Sequence, residues 1–246
     1  KKELSALITF VGSSGNYFSK LNSIKSYRLD SPIDYIENYV ENMSKVDTYY
    51  RHTVLSLELV QKMNYPEIIN VGSLAKGIHA SYDEFLIELN REWLDCMKQF
   101  DFKFNDIPVA KQVAFYKDQL AKSDQKVVVI ISDALRYECG EELLKEILVD
   151  TKGNASISYM LSGLPSVTHW GMANLLSDKP LALQDDKLSI EGIITDGTGN
   201  REKILKVNEP SAKAVQYKTL NTLDRDDVRK QYFNEKKVVY IYHNVI

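Results

Sequence analysis

Apolar residues recur at one period in the first half of the chain and at another in the second. Up to about residue 122 the spacing is helical. Ser31 followed by Pro32 is a helix start, a capping side chain and then proline at the first helical position. Ile33, Ile36, Val40, Met43 and Val46 then follow at turns of a helix. A second helix is predicted from Tyr50 to Met63, with Val54, Leu57 and Leu59 among its apolar positions. Ser81 and Glu84 form a capping-box pattern, which predicts a helix running toward Met97 that buries Phe85, Leu86, Leu89 and Trp93. Asp106 and Pro108 flank a further start, followed by Val109, Val113, Tyr116 and Leu120.

From residue 123 the pattern changes. Val127 to Ile131 is an unbroken apolar run rich in β-branched residues, which predicts a strand buried on both faces of a parallel sheet. Arg136 to Leu148 reads as a helix with Cys139, Leu143, Leu144 and Ile147 available to face that sheet. Ala155 to Leu161 alternates weakly and is expected as a second strand. It leads through Leu164 to Thr168 into a helix from His169 to Ser177. Leu188 to Ile194 and Val238 to His243 complete the expected strands. Helical connections between such strands predict a mostly parallel sheet flanked by helices. The expected organisation is a helical N-terminal region, 1–122, followed by an α/β domain, 123–246.

Composition narrows the function classes. A formal net charge of −3 over 246 residues supplies no global positive field for nucleic acid. Cys96 and Cys139 are the only cysteines, too few for a disulfide framework, so reduced thiols and a cytoplasmic location are expected. No signal peptide is expected at the start, and no apolar run approaches the ~20 residues of a membrane span. No glycine-rich dinucleotide or P-loop fingerprint follows the Val127 strand.

The candidate chemistry lies where strands give way to helices. Asp133 follows the Val127 strand at the edge where open α/β sheets place ligands. Its carboxylate suits a divalent cation, but an aspartate there would equally cap the next helix. Ser166 and Thr168 are two hydroxyls before the second helix, each a candidate nucleophile, with helix capping again the alternative. Arg136 could orient Asp133 or grip a phosphate oxygen in a two-pronged contact, with an ordinary surface salt bridge the equal alternative. Glu138 is expected to be exposed or to stand behind a liganding residue. Thr195 to Arg201 reads as turn chemistry, with an anion-binding loop clamped by Arg201 as the alternative. His52 and His79 stand alone, without a second His or Cys at ligand spacing, and nothing supports His169 as a ligand.

The strings Ser132-Asp133-Ala134-Leu135-Arg136-Tyr137-Glu138, Leu164-Pro165-Ser166-Val167-Thr168 and Gly171-Met172-Ala173 together resemble the PglZ domain of bacteriophage-exclusion (BREX) defence systems. The resemblance runs from near Gln112 to the end of the chain. It implies an alkaline-phosphatase-like α/β fold, preceded here by the helical region. It also implies a metal-dependent phosphohydrolase, with Thr168 rather than Ser166 as nucleophile. Asp133 and Thr168 would lie on a divalent metal, Zn²⁺ first, with Mn²⁺ or Mg²⁺ as alternatives, and Arg136 would be a supporting catalytic residue. The implied partners are a phosphate-ester substrate, nucleic acid among the candidates, and other defence-system proteins, with no membrane. His243 and Asn244 resemble the strand end that precedes an aspartate ligand, so the remaining ligands are expected downstream of Ile246. A second reading is a catalytically inactive scaffold of the same fold that binds other defence components.

Overall fold

Helix α1 (Lys2–Asn22) buries Ala6, Phe10 and Tyr17 along one stripe and packs that stripe on a long helical segment that follows. The computed structural model describes residues 2–63, 70–150 and 153–243. Ser31 caps α2 (Pro32–Asn38), its Oγ accepting from the Asp34 amide at 3.3 Å. The chain then passes through a single π turn (Tyr39–Met43) into α3 (Ser44–Gln61) without leaving helical geometry. The two helices expected between Ile33 and Met63 are thus one nearly continuous rod.

Helix α4 (Val71–Gln99) overturns the expected start at Ser81. Asn70 is its cap, accepting from the Ser73 amide, and Ser81 lies mid-helix. The Ser81 hydroxyl there donates to the Ile78 carbonyl at 2.8 Å, the back-bonding that lets serine sit inside a helix, and it also meets the Tyr17 hydroxyl. Ile78, Tyr82 and Phe85 from α4 close the core over Val46, Leu57 and Val60 of α3. Tyr82 also stacks flat on Tyr50, with ring centroids 3.7 Å apart. Helix α5 (Tyr137–Asp150) forms where expected. Its buried contribution is Glu138, only 1% exposed, which corrects the expectation of an exposed residue, whereas Leu143 and Ile147 remain exposed.

The described residues fall into two compact units, one of residues 1–108 with 136–157, the other of residues 109–135 with 158–246. Helix α5 falls in the first unit. The reason is local chemistry: Arg51 pairs with Glu142, His52 Nε2 stands 2.8 Å from the same carboxylate, and Ser44 reaches Glu141.

Burial pushes the Glu138 carboxyl pKa upward, helped by the neighbouring charge of Asp47 and opposed by Arg136 and Arg51. Its Oε2 has no hydrogen-bond partner among the described residues. The sign follows directly. A carboxyl whose folded pKa exceeds its unfolded value of about 4.3 contributes full stability below that pH, and the contribution is lost as pH rises through the folded pKa. Glu138→Gln is expected to flatten this part of the pH dependence and to stabilise the protein at neutral and alkaline pH, as read from urea midpoints between pH 4 and 9.

In the second unit, β1 (Val127–Ser132), β5 (Lys213–Gln216) and β6 (Val238–His243) make a parallel sheet in the order β1-β6-β5. Val127 pairs with Val238, and the register holds through Ser132 and His243. Val127, Val129 and Ile131 share a face with Val238, Tyr240 and Tyr242. That face is covered by Leu176, Ile204 and Leu205, of which Leu176 and Leu205 are wholly buried. The other face is covered by Leu220, Tyr232 and Phe233 over β5 and β6, but not over β1. Val128 and Ile130 are therefore 40% and 66% exposed, and β1 is a one-sided edge strand rather than one buried on both faces.

Three further expectations change. Residues 155–161 form no strand, only a bridge from Leu161 to Lys111. The run 188–194 is split by a turn at Glu191-Gly192 into β3 (Lys187–Ile190) and β4 (Ile193–Ile194). With β2 (Ala182–Gln184) these two form a separate antiparallel meander. The helix expected after Pro108 reduces to short turns at 112–114 and 116–120, although Tyr116 and Leu120 are buried as that pattern required.

The Thr195–Arg201 segment opens a helix (Thr198–Asn208) instead of an anion loop. Arg201 donates to the Thr195 carbonyl at 2.9 Å, and its guanidinium lies 4.7 Å from the Tyr242 ring centroid. Burial pushes the Tyr242 hydroxyl up to about 12 against the pull of that arginine.

Candidate active site

The loop that carries Thr168 is anchored at its base. Gln112 and Leu161 exchange backbone bonds with the facing segment, Gln112 N–H to Leu161 at 2.9 Å and Leu161 N–H to Ala110 at 2.8 Å. The Gly163 amide donates to Gln112 Oε1 at 3.2 Å. A side chain at Gly163 would collide with the amide of buried Asn174, so glycine is required there by space. Gly163→Ala is expected to displace that contact at a cost of about 1–3 kcal/mol in a denaturation experiment.

Past the cis Leu164–Pro165 bond, Val167 is extended and precedes α6 (Thr168–Asn174), whose Met172 and Ala173 are buried. Thr168, the first residue of α6, is exposed. Val167 is the capping position and makes no side-chain cap.

Asp133 is held from the sheet side. Its amide donates to the His243 carbonyl at 3.3 Å, continuing the β1–β6 ladder by one residue. The preceding Ser132 hydroxyl meets His243 Nδ1 at 3.0 Å, and the His243 ring is edge-on to Tyr217. Asp133 Oδ1 accepts from the Ala134 amide at 3.1 Å across a turn in which Ala134 has φ +63. Helix α5 starts only at Tyr137, so this bond is local to the turn and is not the cap of α5.

Asp133 and Thr168, 35 positions apart, come together at one place. Thr168 Oγ1 is 3.4 Å from Asp133 Oδ2, with the hydroxyl as donor. That is wide for an O–H···O bond, usually about 2.7–2.8 Å. It matches the spacing of two oxygens bound at about 2.1 Å to a common tetrahedral cation, roughly 3.4 Å by trigonometry. The donor set also fits, since carboxylate and alcohol oxygens are hard ligands suited to divalent ions. Among the described residues no group of three His, Cys, Asp or Glu side chains converges in a way that could hold a metal.

The other expected residues take different places. Arg136 donates to the Tyr82 hydroxyl at 3.5 Å within the helical unit. Ser166 and His169 are exposed. His52 and His79 are satisfied by Glu142 and by the Tyr50 hydroxyl. Asn244 lies outside the described residues. The Ser132–His243 contact was not anticipated, although the strand register is what brings the two together.

Comparison with known proteins agrees with the resemblance. A family model for the BREX system PglZ alkaline phosphatase-like domain matches residues 111–246. The alkaline phosphatase-like protein PglZ of Bacillus cereus (strain H3081.97) is 30% identical over 221 residues, 87% of this chain and 25% of that protein. The alkaline phosphatase-like protein BrxZ of Escherichia coli O9:H4 (strain HS) is 33% identical over 219 residues, 85% of this chain and 25% of that protein. The chain thus spans about a quarter of the length of the curated relatives it matches. No solved structure matches it. Among the described residues no helix is long and apolar enough to cross a membrane. With a parallel sheet flanked by helices after a helical region, and with the family match covering more than half of its length, the chain belongs to the PglZ family of BREX-system alkaline phosphatase-like domains.

Proposed function

We propose that this chain carries the nucleophile and one metal ligand of a metal-dependent phosphohydrolase that acts in antiphage defence. The supporting observation is the Thr168–Asp133 oxygen pair, 3.4 Å apart at the exposed junction of β1 and α6. Neither side chain caps the helix that follows it.

In this reading Asp133 Oδ2 receives the Thr168 hydroxyl hydrogen bond, which turns an Oγ lone pair toward an incoming phosphorus atom. A carboxylate is far too weak a base to deprotonate threonine alone. A divalent cation held by Asp133 and Thr168 would supply that acidification and would neutralise charge on the phosphoryl group. Thr168 Oγ then gives up its proton to solvent and bonds to phosphorus as the ester P–O bond breaks, the leaving oxygen takes up a proton from solvent, and water later cleaves the threonine phosphate, releasing phosphate and restoring the hydroxyl. The backbone bonds at Gly163, Leu161 and Asp133 keep the two oxygens in register and avoid a reorganisation cost at the moment of reaction. Arg136, which donates to the Tyr82 hydroxyl in the helical unit, takes no part in this reading. Zinc is the first candidate metal, with manganese or magnesium as alternatives. The partners proposed are a phosphate-ester substrate and other proteins of the defence system.

The test is phosphate release by the intact protein from an aryl phosphomonoester and an aryl phosphodiester. Metal is removed first and Zn²⁺, Mn²⁺ or Mg²⁺ is then added back. Hydrolysis restored by one of these metals is expected. Turnover of neither ester with any of the three would favour the scaffold reading, in which the fold is kept for binding other defence components.

A further inference from the structure

The helical unit contains a cleft of about 510 Å³ that the phosphohydrolase reading does not use. That volume lies in the range of small-molecule sites, about 300–1,000 Å³. Its walls are aromatic and aliphatic: Tyr35, Tyr39, Tyr82, Leu89 and Trp93, with Tyr35 and Trp93 in an edge contact at 5.7 Å.

Three polar groups reach it, and their states differ. Asp47 is buried and accepts from Tyr39 at 2.6 Å and from Tyr82 at 2.8 Å. Both phenols are held in the protonated form, burial and then Asp47 pushing their pKa values up. That carboxylate therefore fixes two of the walls. Arg136 is the opposite case. Its guanidinium is exposed, touches only the neutral Tyr82 hydroxyl at 3.5 Å, and has no carboxylate within 4.0 Å among the described residues. Asn90 gives one N–H to the Leu86 carbonyl and keeps its amide oxygen and second N–H for a ligand.

Aromatic walls favour a flat π system, a free amide edge reads a heterocycle with adjacent donor and acceptor, and an unpaired guanidinium favours an anion. We propose that this cleft binds a planar heteroaromatic ligand carrying one anionic group, a nucleoside monophosphate, with the base against Trp93 and Asn90 and the phosphate on Arg136. The site lies wholly within the helical unit.

Calorimetric titration of the intact protein carrying Thr168→Ala, with chelator present, keeps turnover and metal out of the readout. Adenosine monophosphate is expected to bind with one site per chain. Adenosine should bind about tenfold or more weakly, and inorganic phosphate alone should show no saturable heat. Trp93→Ala should weaken the nucleotide by about tenfold or more, and Arg136→Gln should erase the difference between nucleotide and nucleoside. Absence of saturable nucleotide binding, or binding that Trp93→Ala and Arg136→Gln both leave unchanged, would overturn the assignment. Because no phosphoryl chemistry is read, failure here leaves the hydrolase proposal standing, and the reverse holds too.

Discussion

Thr168→Ala is expected to lower phosphate-ester turnover in the intact protein by about three orders of magnitude or more, while leaving the fold as it is. The size follows from the role: removing a nucleophile removes the covalent route altogether, and only substrate binding and any residual electrostatic stabilisation remain. The stability effect is small because Thr168 is exposed and its hydroxyl caps nothing. Surface changes of this kind stay within about 0.5 kcal/mol. Thr168→Ser keeps the hydroxyl and is expected to keep measurable turnover. A purely structural role would give the reverse ordering, with thermal midpoints falling in the alanine variant and turnover tracking the folded fraction. Ser166→Ala serves as the internal control and should retain turnover, since among the described residues it is Thr168 whose hydroxyl bonds to Asp133.

The second large effect is expected at Asp133. Asp133→Asn preserves the shape and the Oδ1 acceptor for the Ala134 amide, and removes only the charge. Metal affinity in calorimetry should fall by about 100-fold or more, beyond the 10- to 100-fold typical of changes to residues that merely orient a ligand. Turnover should fall with it and should not return fully at high metal. If Asp133 served only the turn, Asp133→Asn would change neither metal binding nor rate, and Asp133→Ala would cost about 1 kcal/mol of stability.

Several parts of this architecture were legible in the chain because they are set by short-range pattern. The Val127 run, the helix after Arg136, the Ser31-Pro32 start and the VVYIYH strand each form where periodicity and β-branching predict them. What could not be read was tertiary choice. Ser81 looks like a cap, yet its hydroxyl back-bonds within a long helix and meets Tyr17, a partner 64 residues away. Strand β5 is only four residues, Lys213–Gln216, and forms because β6 offers it an edge. The Gly197-Thr198-Gly199-Asn200 run reads as a turn, yet only Gly197, at φ +79, is spent on one; the rest begins a helix that buries Ile204 and Leu205. Asp133 and Thr168 were singled out by resemblance and by their places at strand and helix ends. Their closeness depends on the Lys111–Leu161 bridge and the Gln112–Gly163 bond, which no local pattern announces.

Trapping the covalent intermediate tests the central claim most directly. The intact protein, metal-loaded and mixed with an aryl phosphate, is quenched in acid within the first turnover and its peptides are weighed. Phosphate is predicted on Thr168, absent from Ser166, and absent from the Asp133→Asn protein. Turnover with phosphate on Ser166, or with no label at Thr168 at any quench time, would contradict it.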